Sequence, residues 1–105
     1  MKKYIREGKV AVLYSPGWGA GWSTWNSVSA GDALIFDPEV VEMLFAGVED
    51  DEIIEYCERQ YPDGYFGGVR DLEVEWVPVG TQFKIEEYDG NESILYKENT
   101  GWITA

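Results

Sequence analysis

The chain has 105 residues with 20 acidic and 8 basic side chains, no histidine and one cysteine, so its formal net charge is −12. This length suits a single domain over residues 1–105, with a core that needs neither disulfides nor a metal to fold. The charge argues against direct nucleic-acid binding, which needs clustered Lys and Arg. Without histidine the usual general base and zinc ligand are missing, so the sequence predicts no enzyme and no metal or cofactor site.

The start of the chain and its cysteine content indicate the compartment. Lys2 and Lys3 are followed by Tyr4-Ile5-Arg6-Glu7 rather than by a long apolar run, so no secretory signal peptide is expected. No stretch approaches the roughly 20 apolar residues that span a bilayer. Cys57 cannot form an internal disulfide, and its place on an apolar helix stripe predicts a buried, unreactive thiol. The sequence therefore predicts a cytoplasmic protein that does not bind membranes.

The first half of the chain predicts short strands, one ordered loop and two helices. Residues 4–6 and 10–14 have the pattern of a hairpin broken at Gly8-Lys9, and the apolar residues 33–36 predict a further short strand. Between them, residues 15–26 carry three glycines, three tryptophans and no charge. Asp37-Pro38 predicts the start of a first helix, and Gly47 predicts its end. A second helix is expected from about residue 50 to about residue 60, with acids in its first turn.

The second half predicts antiparallel strands. Residues 72–77, 81–88 and 92–97 alternate apolar and polar side chains, and Asp89-Gly90 is a strong hairpin signal between the last two. Trp102-Ile103 is expected to form one more short strand or a packed tail. Strands in two runs with helices between them predict an α+β fold. We expect a mostly antiparallel, curled sheet or small partial barrel packed with two helices.

An acid block without cations is the strongest charge feature. From Gly31 to Glu58 there are ten acids and no Lys or Arg, namely Asp32, Asp37, Glu39, Glu42, Glu49, Asp50, Asp51, Glu52, Glu55 and Glu58. Two amphipathic helices with solvated outer faces would explain it. The alternative is a negative surface that occupies a basic groove, as a nucleic-acid mimic would. The first explanation is the usual one for such a helix pair, but the missing cations weaken it, because solvated faces normally mix both signs.

The glycine- and tryptophan-rich stretch, residues 15–26, allows three interpretations. Its backbone N–H groups could surround an anion while its rings stack on a base, which would make a nucleotide site. Its glycines could permit a tight turn while its tryptophans cap the core, or exposed tryptophans could anchor an interface. The nucleotide site would use Gly17, Trp18, Gly19, Gly21, Trp22, Trp25 and Arg70, with Lys2, Lys3 and Arg6 as further sources of positive charge.

Other carboxylates give no strong site signal. Asp63, Asp89, Asn91 and Glu92 lie near glycines as calcium ligands do, but the 12-residue spacing of a calcium loop is absent. We expect them to act as turn residues. Glu73 and Glu75 alternate outward on a predicted strand and are expected to be ordinary exposed acids.

Two stretches carry a resemblance. They are S-P-G-W-G-A-G-W-S-T-W-N, residues 15–26, and W-V-P-V-G-T-Q-F-K-I-E-E-Y-D-G, residues 76–90. Together they resemble small, functionally unassigned proteins of bacteriophages and prophages. The resemblance implies a compact phage product that acts inside a bacterium, where such acidic proteins often block host factors or defence systems.

These features predict a non-enzymatic protein that binds and inhibits a basic host protein, such as a nucleic-acid-binding or defence protein. The charge would come from Glu39, Glu42, Asp51, Glu52, Glu55 and Glu58, and the hydrophobic anchors would be Trp18, Trp22, Tyr65 and Phe66. The alternative is a protein that sequesters a nucleotide or small second messenger through residues 15–26. Self-assembly into a homo-oligomer and a carboxylate-dependent enzyme are weaker alternatives.

Overall fold

The computed structural model describes residues 2–96, which form two antiparallel sheets, three α-helices and two 3-10 turns. The strands are β1 (Ile5–Arg6), β2 (Lys9–Tyr14), β3 (Glu73–Pro78), β4 (Phe83–Tyr88) and β5 (Asn91–Tyr96). The helices are α1 (Val28–Phe36), α2 (Pro38–Phe45) and α3 (Asp50–Gln60), and the 3-10 turns are Ser23–Trp25 and Gly67–Asp71. The predicted α+β class with antiparallel strands is confirmed, and neither sheet closes into a barrel. The strand or tail expected at Trp102-Ile103 lies outside the described residues.

Strand β2 is the centre of the molecule. It pairs with β1 on one edge and with β3 on the other, in the order β1-β2-β3, with Val10 opposite Val77 and Leu13 opposite Val74. Its residues from Val10 to Leu13 are all buried. Because successive side chains of a strand point to opposite faces, a strand that is apolar and buried at successive positions must be covered on both faces of its sheet.

The helices and the loop of residues 15–26 cover the first face. Ala11 and Leu13 point into a core cluster there. The helices contribute their apolar stripes, and the loop contributes the completely buried ring of Trp22. The other buried members of this cluster are Leu34, Val40, Val41, Ile53, Cys57, Phe66, Val69 and Leu72.

The β4–β5 hairpin covers the second face. Val10, Val12 and Val77 are buried there, and the hairpin packs Phe83, Ile85, Ile94 and Tyr96 against them. Glu75 lies on this face and is half-buried, and its carboxylate accepts a hydrogen bond from the hydroxyl of Tyr96. The prediction that Glu75 is an ordinary exposed acid is wrong, because the strand alternation alone does not reveal that a second sheet covers this side. Glu73 is exposed, as predicted.

Residues 33–36 are the end of helix α1, so the predicted strand there is wrong. The run Ala33 to Phe36 is apolar at every position because α1 lies between both clusters: Leu34 joins the first, and Ile35 and Phe36 join the second. A short continuous apolar run cannot by itself distinguish a buried strand from a buried helix. Gly31 lets α1 approach the Ser23–Trp25 turn, since a Cβ at this position would lie 2.9 Å from the carbonyl oxygen of Ser23.

The ends of helix α2 follow the predicted signals. Asp37 is its N-cap, and one carboxylate oxygen accepts hydrogen bonds from the backbone N–H groups of Glu39 (2.9 Å) and Val40 (3.2 Å). Gly47 has a φ of 72° and ends the helix, with the N–H of Val48 bonded to the carbonyl of Met43 at 3.0 Å. Helix α3 begins and ends where the acids at 50–52 and the proline at 62 predict.

Two tight turns close the hairpins. Glu7 and Gly8 have φ values of 52° and 77°, and Asp89 and Gly90 have φ values of 52° and 85°. Two consecutive residues at positive φ define the type I′ turn, whose twist matches that of the flanking strands. The predicted turn at Asp89-Gly90 is confirmed, and it packs against the loop of residues 15–26.

We expect Gly90→Ala to lower the free energy of unfolding more than its matched control, Gly8→Ala. Both replacements place a side chain at positive φ, which costs about 1–2 kcal/mol. A Cβ on Gly90 would also lie 3.0 Å from the carbonyl oxygen of Gly19, whereas one on Gly8 has no neighbour within 4 Å. Urea unfolding measures both values. Equal losses would contradict close packing of the second turn.

Candidate functional site

The loop of residues 15–26 encloses the carboxylate of Glu92, which is 1% exposed. One oxygen of this carboxylate accepts a hydrogen bond from the backbone N–H of Ser15 at 2.9 Å. The other accepts bonds from the backbone N–H groups of Trp22 (2.7 Å) and Thr24 (3.1 Å) and from the Thr24 hydroxyl. The backbone of Glu92 is tied to the same loop, because its N–H donates to the carbonyl of Ser15 at 2.8 Å. The loop therefore holds an anion, and that anion is part of the chain.

No basic side chain takes part in this contact within residues 2–96. A buried carboxylate is tolerable only when hydrogen bonds replace its hydration, and here four donors do so. The expectation that Glu92 serves as a turn residue is wrong. One sequence signal pointed to its burial: the alternation of β5 places Glu92 on the same side as the inward-facing Ile94 and Tyr96.

The four predicted anchor rings separate into two buried and two exposed ones. Trp22 is completely buried, and its indole N–H donates to the carbonyl of Leu34 at 2.9 Å. Phe66 is 4% exposed and lies 6.1 Å from the Trp22 ring. Both rings belong to the hydrophobic core and cannot contact a partner. Trp18 and Tyr65 are 65% and 51% exposed, so both can contact one.

Two aromatic pairs lie on the surface around the loop. Trp25 stacks on Tyr65 with ring centroids 5.6 Å apart, and Trp18 meets Tyr88 edge-on at 6.2 Å. The indole N–H of Trp25 donates to Glu87 at 3.1 Å. The pKa of Glu87 is lowered, first by a hydrogen bond from the backbone N–H of Gly90 and then by this indole. The hydrogen bond between Trp25 and Glu87 therefore attaches the stacked rings of Trp25 and Tyr65 to the β4–β5 hairpin.

The remaining residues of the predicted nucleotide site are not arranged around a ligand. A Cβ on Gly17 would overlap the Asp71 side chain, and one on Gly21 would overlap the Trp25 ring, so both glycines allow close packing. Gly19 also lies beside Asp71. Arg70 is exposed in the Gly67–Asp71 turn and makes no ion pair within residues 2–96. A carboxylate beside these glycines is unfavourable for a phosphate.

The basic residues at the start of the chain lie over aromatic rings. The Arg6 guanidinium is 5.4–5.5 Å from the ring centroids of Tyr4, Phe45 and Trp76. The ammonium of Lys3 lies 4.7 Å from the centroid of Phe36. A cation that is held over an aromatic ring in this way is less available to bind a phosphate ligand.

The acids predicted to form a charged surface are exposed on helices α2 and α3. Each helix buries its apolar stripe, Val40 and Val41 on α2 and Ile53 and Cys57 on α3. Glu55 pairs with Arg59 at 3.0 Å, but both side chains are more than half exposed, so the pair is weak. Within residues 2–96, no Lys or Arg lies within 4 Å of the other exposed carboxylates predicted on these two helices. These are Glu39, Glu42, Asp51, Glu52 and Glu58.

Asp37, the second acid of the block between Gly31 and Glu58, is a buried structural residue. It is 5% exposed, and besides capping α2 it accepts hydrogen bonds from the hydroxyls of Tyr61 (2.7 Å) and Tyr56 (3.1 Å). Burial first, and then the carboxylate of Asp37, raises the pKa of both tyrosines well above the usual range. An open cleft of about 560 Å³ lies beside them, with Lys2 on its wall.

Cys57 is buried, as predicted. Burial raises the pKa of its thiol to about 12, with smaller contributions from Asp37 and Glu58. The thiolate is the nucleophilic form of cysteine, and it is scarce at neutral pH when the pKa is high.

We expect Glu92→Gln to destabilise the protein far more than Glu87→Gln, the residue directly opposite it in the hairpin. A glutamine at position 92 turns an NH2 group toward at least one backbone N–H of the loop and leaves it without an acceptor. Each unsatisfied buried donor costs about 1–3 kcal/mol. Urea unfolding of both variants tests this, and equal stability would contradict the role of Glu92.

We expect stability to fall as the pH rises above about 10, where tyrosines of the unfolded chain ionise. The raised pKa values keep Tyr56 and Tyr61 protonated in the folded state, so their contribution is complete below that pH and is lost above it. Tyr96, with a pKa raised to about 12, adds to the effect. Denaturant unfolding at stepwise higher pH measures it. Asp37→Asn should lower the two tyrosine pKa values in an absorbance titration, and constant stability above pH 10 would contradict the assignment.

Comparison with known proteins identifies no relative: no protein-family model, no curated protein and no solved structure matches the chain. In the part of the chain that the structure describes, the helices are too short or too polar to cross a bilayer.

Proposed function

We propose that this protein is a non-enzymatic inhibitor that presents the acidic surface of helices α2 and α3 to a basic protein partner. The partner is a host nucleic-acid-binding or defence protein, whose basic groove normally receives phosphates. One observation supports this above all: Glu39, Glu42, Asp51, Glu52 and Glu58 are exposed, and no Lys or Arg within residues 2–96 lies within 4 Å of them.

Many like charges on a small folded protein destabilise it unless a surface of opposite charge binds to them. Like charges repel one another and oppose the compact state, whereas a basic partner removes that repulsion when it binds. Electrostatic attraction of this kind mainly raises the association rate and excludes acidic partners. The acidic helices are anchored by buried residues on their opposite stripes, so the carboxylates are presented on a packed framework.

Hydrophobic anchors would hold the complex once it has formed. Trp18 and Tyr65 have exposed rings that can lose water against a partner. Trp22 and Phe66 act beneath the surface, where they fill the core under the loop. We further propose a bacterial cytoplasm as the place of action, which is what the resemblance of residues 15–26 and 76–90 to phage and prophage proteins implies.

A nucleotide sponge is the second candidate, and the contacts of Glu92 count against it. A phosphate could bind the N–H groups of Trp22 and Thr24 only if the Glu92 carboxylate left them. The negative charge of Glu92 and the neighbouring Asp71 would also repel it. A thermal-shift assay against a panel of nucleotides tests this candidate directly, because tight binding stabilises the folded state by several kcal/mol at large ligand excess.

Charge neutralisation on the helices tests the proposed function. Glu42→Gln, Glu52→Gln and Glu58→Gln are combined in one variant, and the control variant combines Glu7→Gln, Asp63→Asn and Glu73→Gln, which change the net charge equally at exposed sites elsewhere. The tagged protein captures partners from a bacterial lysate. We expect the helix variant to lower capture of basic proteins roughly three- to tenfold, and the control variant to have little effect.

Added duplex DNA should release the captured proteins if the acidic surface occupies a nucleic-acid groove. Equal losses for the helix and control variants would mean that only net charge matters. Unchanged capture by the helix variant would contradict the proposal outright.

A further inference from the structure

The β4–β5 hairpin has a free backbone edge along β4. Tyr88 and Asn91 flank its two-residue type I′ turn, and residues in this position form a hydrogen-bonded pair. Hydrogen-bonded and non-hydrogen-bonded pairs alternate along an antiparallel ladder, so every second residue of β4 turns its N–H and C=O away from β5. These residues are Phe83, Ile85 and Glu87. No other backbone group of residues 2–96 bonds to their N–H and C=O groups.

The other strand edges are occupied, short or protected. On β5 the N–H of Glu92 points away from β4, as the alternation requires, and donates to the carbonyl of Ser15 at 2.8 Å. Strand β1 has only 2 residues. Strand β3 carries Glu73 and Glu75 without a cation and ends at Pro78, which has no N–H to donate. Of the strand edges within residues 2–96, that of β4 is therefore the most open to another strand.

The solvent face of β4 carries a cation and an anion at alternate positions. Lys84 and Glu86 point away from the core, with side chains 69% and 53% exposed, whereas Phe83 and Ile85 pack beneath the hairpin. Within the chain the two charges lie 3.7 Å apart, and a contact this exposed contributes little. Both charges therefore remain available to a strand that places an opposite charge directly across from each of them.

A second copy of β4 provides such a strand in one antiparallel register. When Ile85 faces the Ile85 of the second copy, the free N–H and C=O groups of both edges meet. Lys84 of each copy then lies opposite Glu86 of the other. Sliding one strand by two residues, the smallest shift that keeps the backbone groups paired, brings Lys84 opposite Lys84 or Glu86 opposite Glu86, and both are repulsive. The charges therefore select a single register.

We propose that two copies of this protein form a twofold dimer by antiparallel pairing of their β4 edges about Ile85, with each Lys84 opposite the Glu86 of the other copy. The pairing joins the two 2-stranded sheets into one continuous sheet and closes on itself, so it produces a dimer and not a fibre. The dimer goes beyond the proposed function, which requires no second copy.

The dimer should be weak and should form more readily as salt is added. The paired edge is a single short strand, and each chain carries a net charge of −12. Salt screens the repulsion between the two chains. Capture of a basic partner by the acidic helices has the opposite dependence, because salt weakens attraction between opposite charges. The two associations are therefore distinguishable in one salt series.

Sedimentation equilibrium of the full-length chain over a range of concentrations measures the dimer dissociation constant. We expect Lys84→Glu and Glu86→Lys each to raise this constant about tenfold, because each replaces both opposite-charge contacts of the dimer by like-charge contacts. The two substitutions change the net charge in opposite directions, so net charge alone predicts opposite effects. Combining both in one chain reverses each contact and should restore the original constant.

Mixing the two single variants gives the sharpest comparison. Each mixed pair joins a face with two glutamates to a face with two lysines, so we expect dimers at concentrations where either variant alone is monomeric. Arg70→Glu and Asp63→Lys are the matched controls, because they make the same charge changes at exposed sites outside β4. Their mixture should dimerise no better than the unmodified chain. Thermal unfolding shows that each variant is folded, which the exposure of Lys84 and Glu86 favours.

Hydrogen exchange tests the pairing at the level of single amides. The amide of Ile85 should exchange more slowly as the concentration rises, whereas that of Lys84, which already faces β5, should not change. A chain that is monomeric at every concentration and salt overturns the inference and leaves the acidic helices unaffected. A dimer that is insensitive to both single substitutions, or that leaves the Ile85 amide unprotected, overturns the β4 pairing. Weakening in both single variants with recovery in the mixture supports it.

Discussion

The Glu92 carboxylate connects the two halves of the core. The β4–β5 hairpin covers one face of the central sheet, and the loop of residues 15–26 covers the other. The hairpin and the loop therefore share only a small contact with each other. Glu92 reaches from the hairpin into the loop and accepts bonds from Ser15, Trp22 and Thr24. Because a buried charge without partners is costly, the loop must keep its shape whenever the hairpin is docked.

Within residues 2–96, the buried carboxylates of Asp37 and Glu92 and the half-buried one of Glu75 are stabilised by hydrogen-bond donors and make no ion pair with a cation. Glu92 uses backbone N–H groups, Asp37 uses two tyrosine hydroxyls and the start of α2, and Glu75 uses Tyr96. The cations near the start of the chain meanwhile lie over rings, as Arg6 and Lys3 do. Few charged side chains are therefore buried within residues 2–96. The excess of acidic side chains lies on the surface. This division explains how a chain with a net charge of −12 folds while the carboxylates of helices α2 and α3 remain exposed.

Local signals predicted the elements well where a few neighbouring residues decide the structure. The N-cap Asp37, the stop at Gly47 and the turn at Asp89-Gly90 each act through their own backbone or the next one or two residues. The alternation of β4 likewise depends only on the pleat of a strand. The buried state of Trp22 and the exposed state of Trp18 were not predictable in the same way, since both lie in one uncharged loop and differ only in what the rest of the chain places against them.

The sequence by itself determined the α+β class, the helix boundaries of α2 and α3, the two hairpins and the excess of exposed acid, because all of these follow from spacing, capping and composition. Only the tertiary structure decided that β2 pairs with β3, that residues 33–36 are helical, and that the anion held by the loop is Glu92. These features depend on contacts between residues up to 77 positions apart. The physical reason is that burial sets the cost of an unpaired polar group, and burial is a property of the assembled fold.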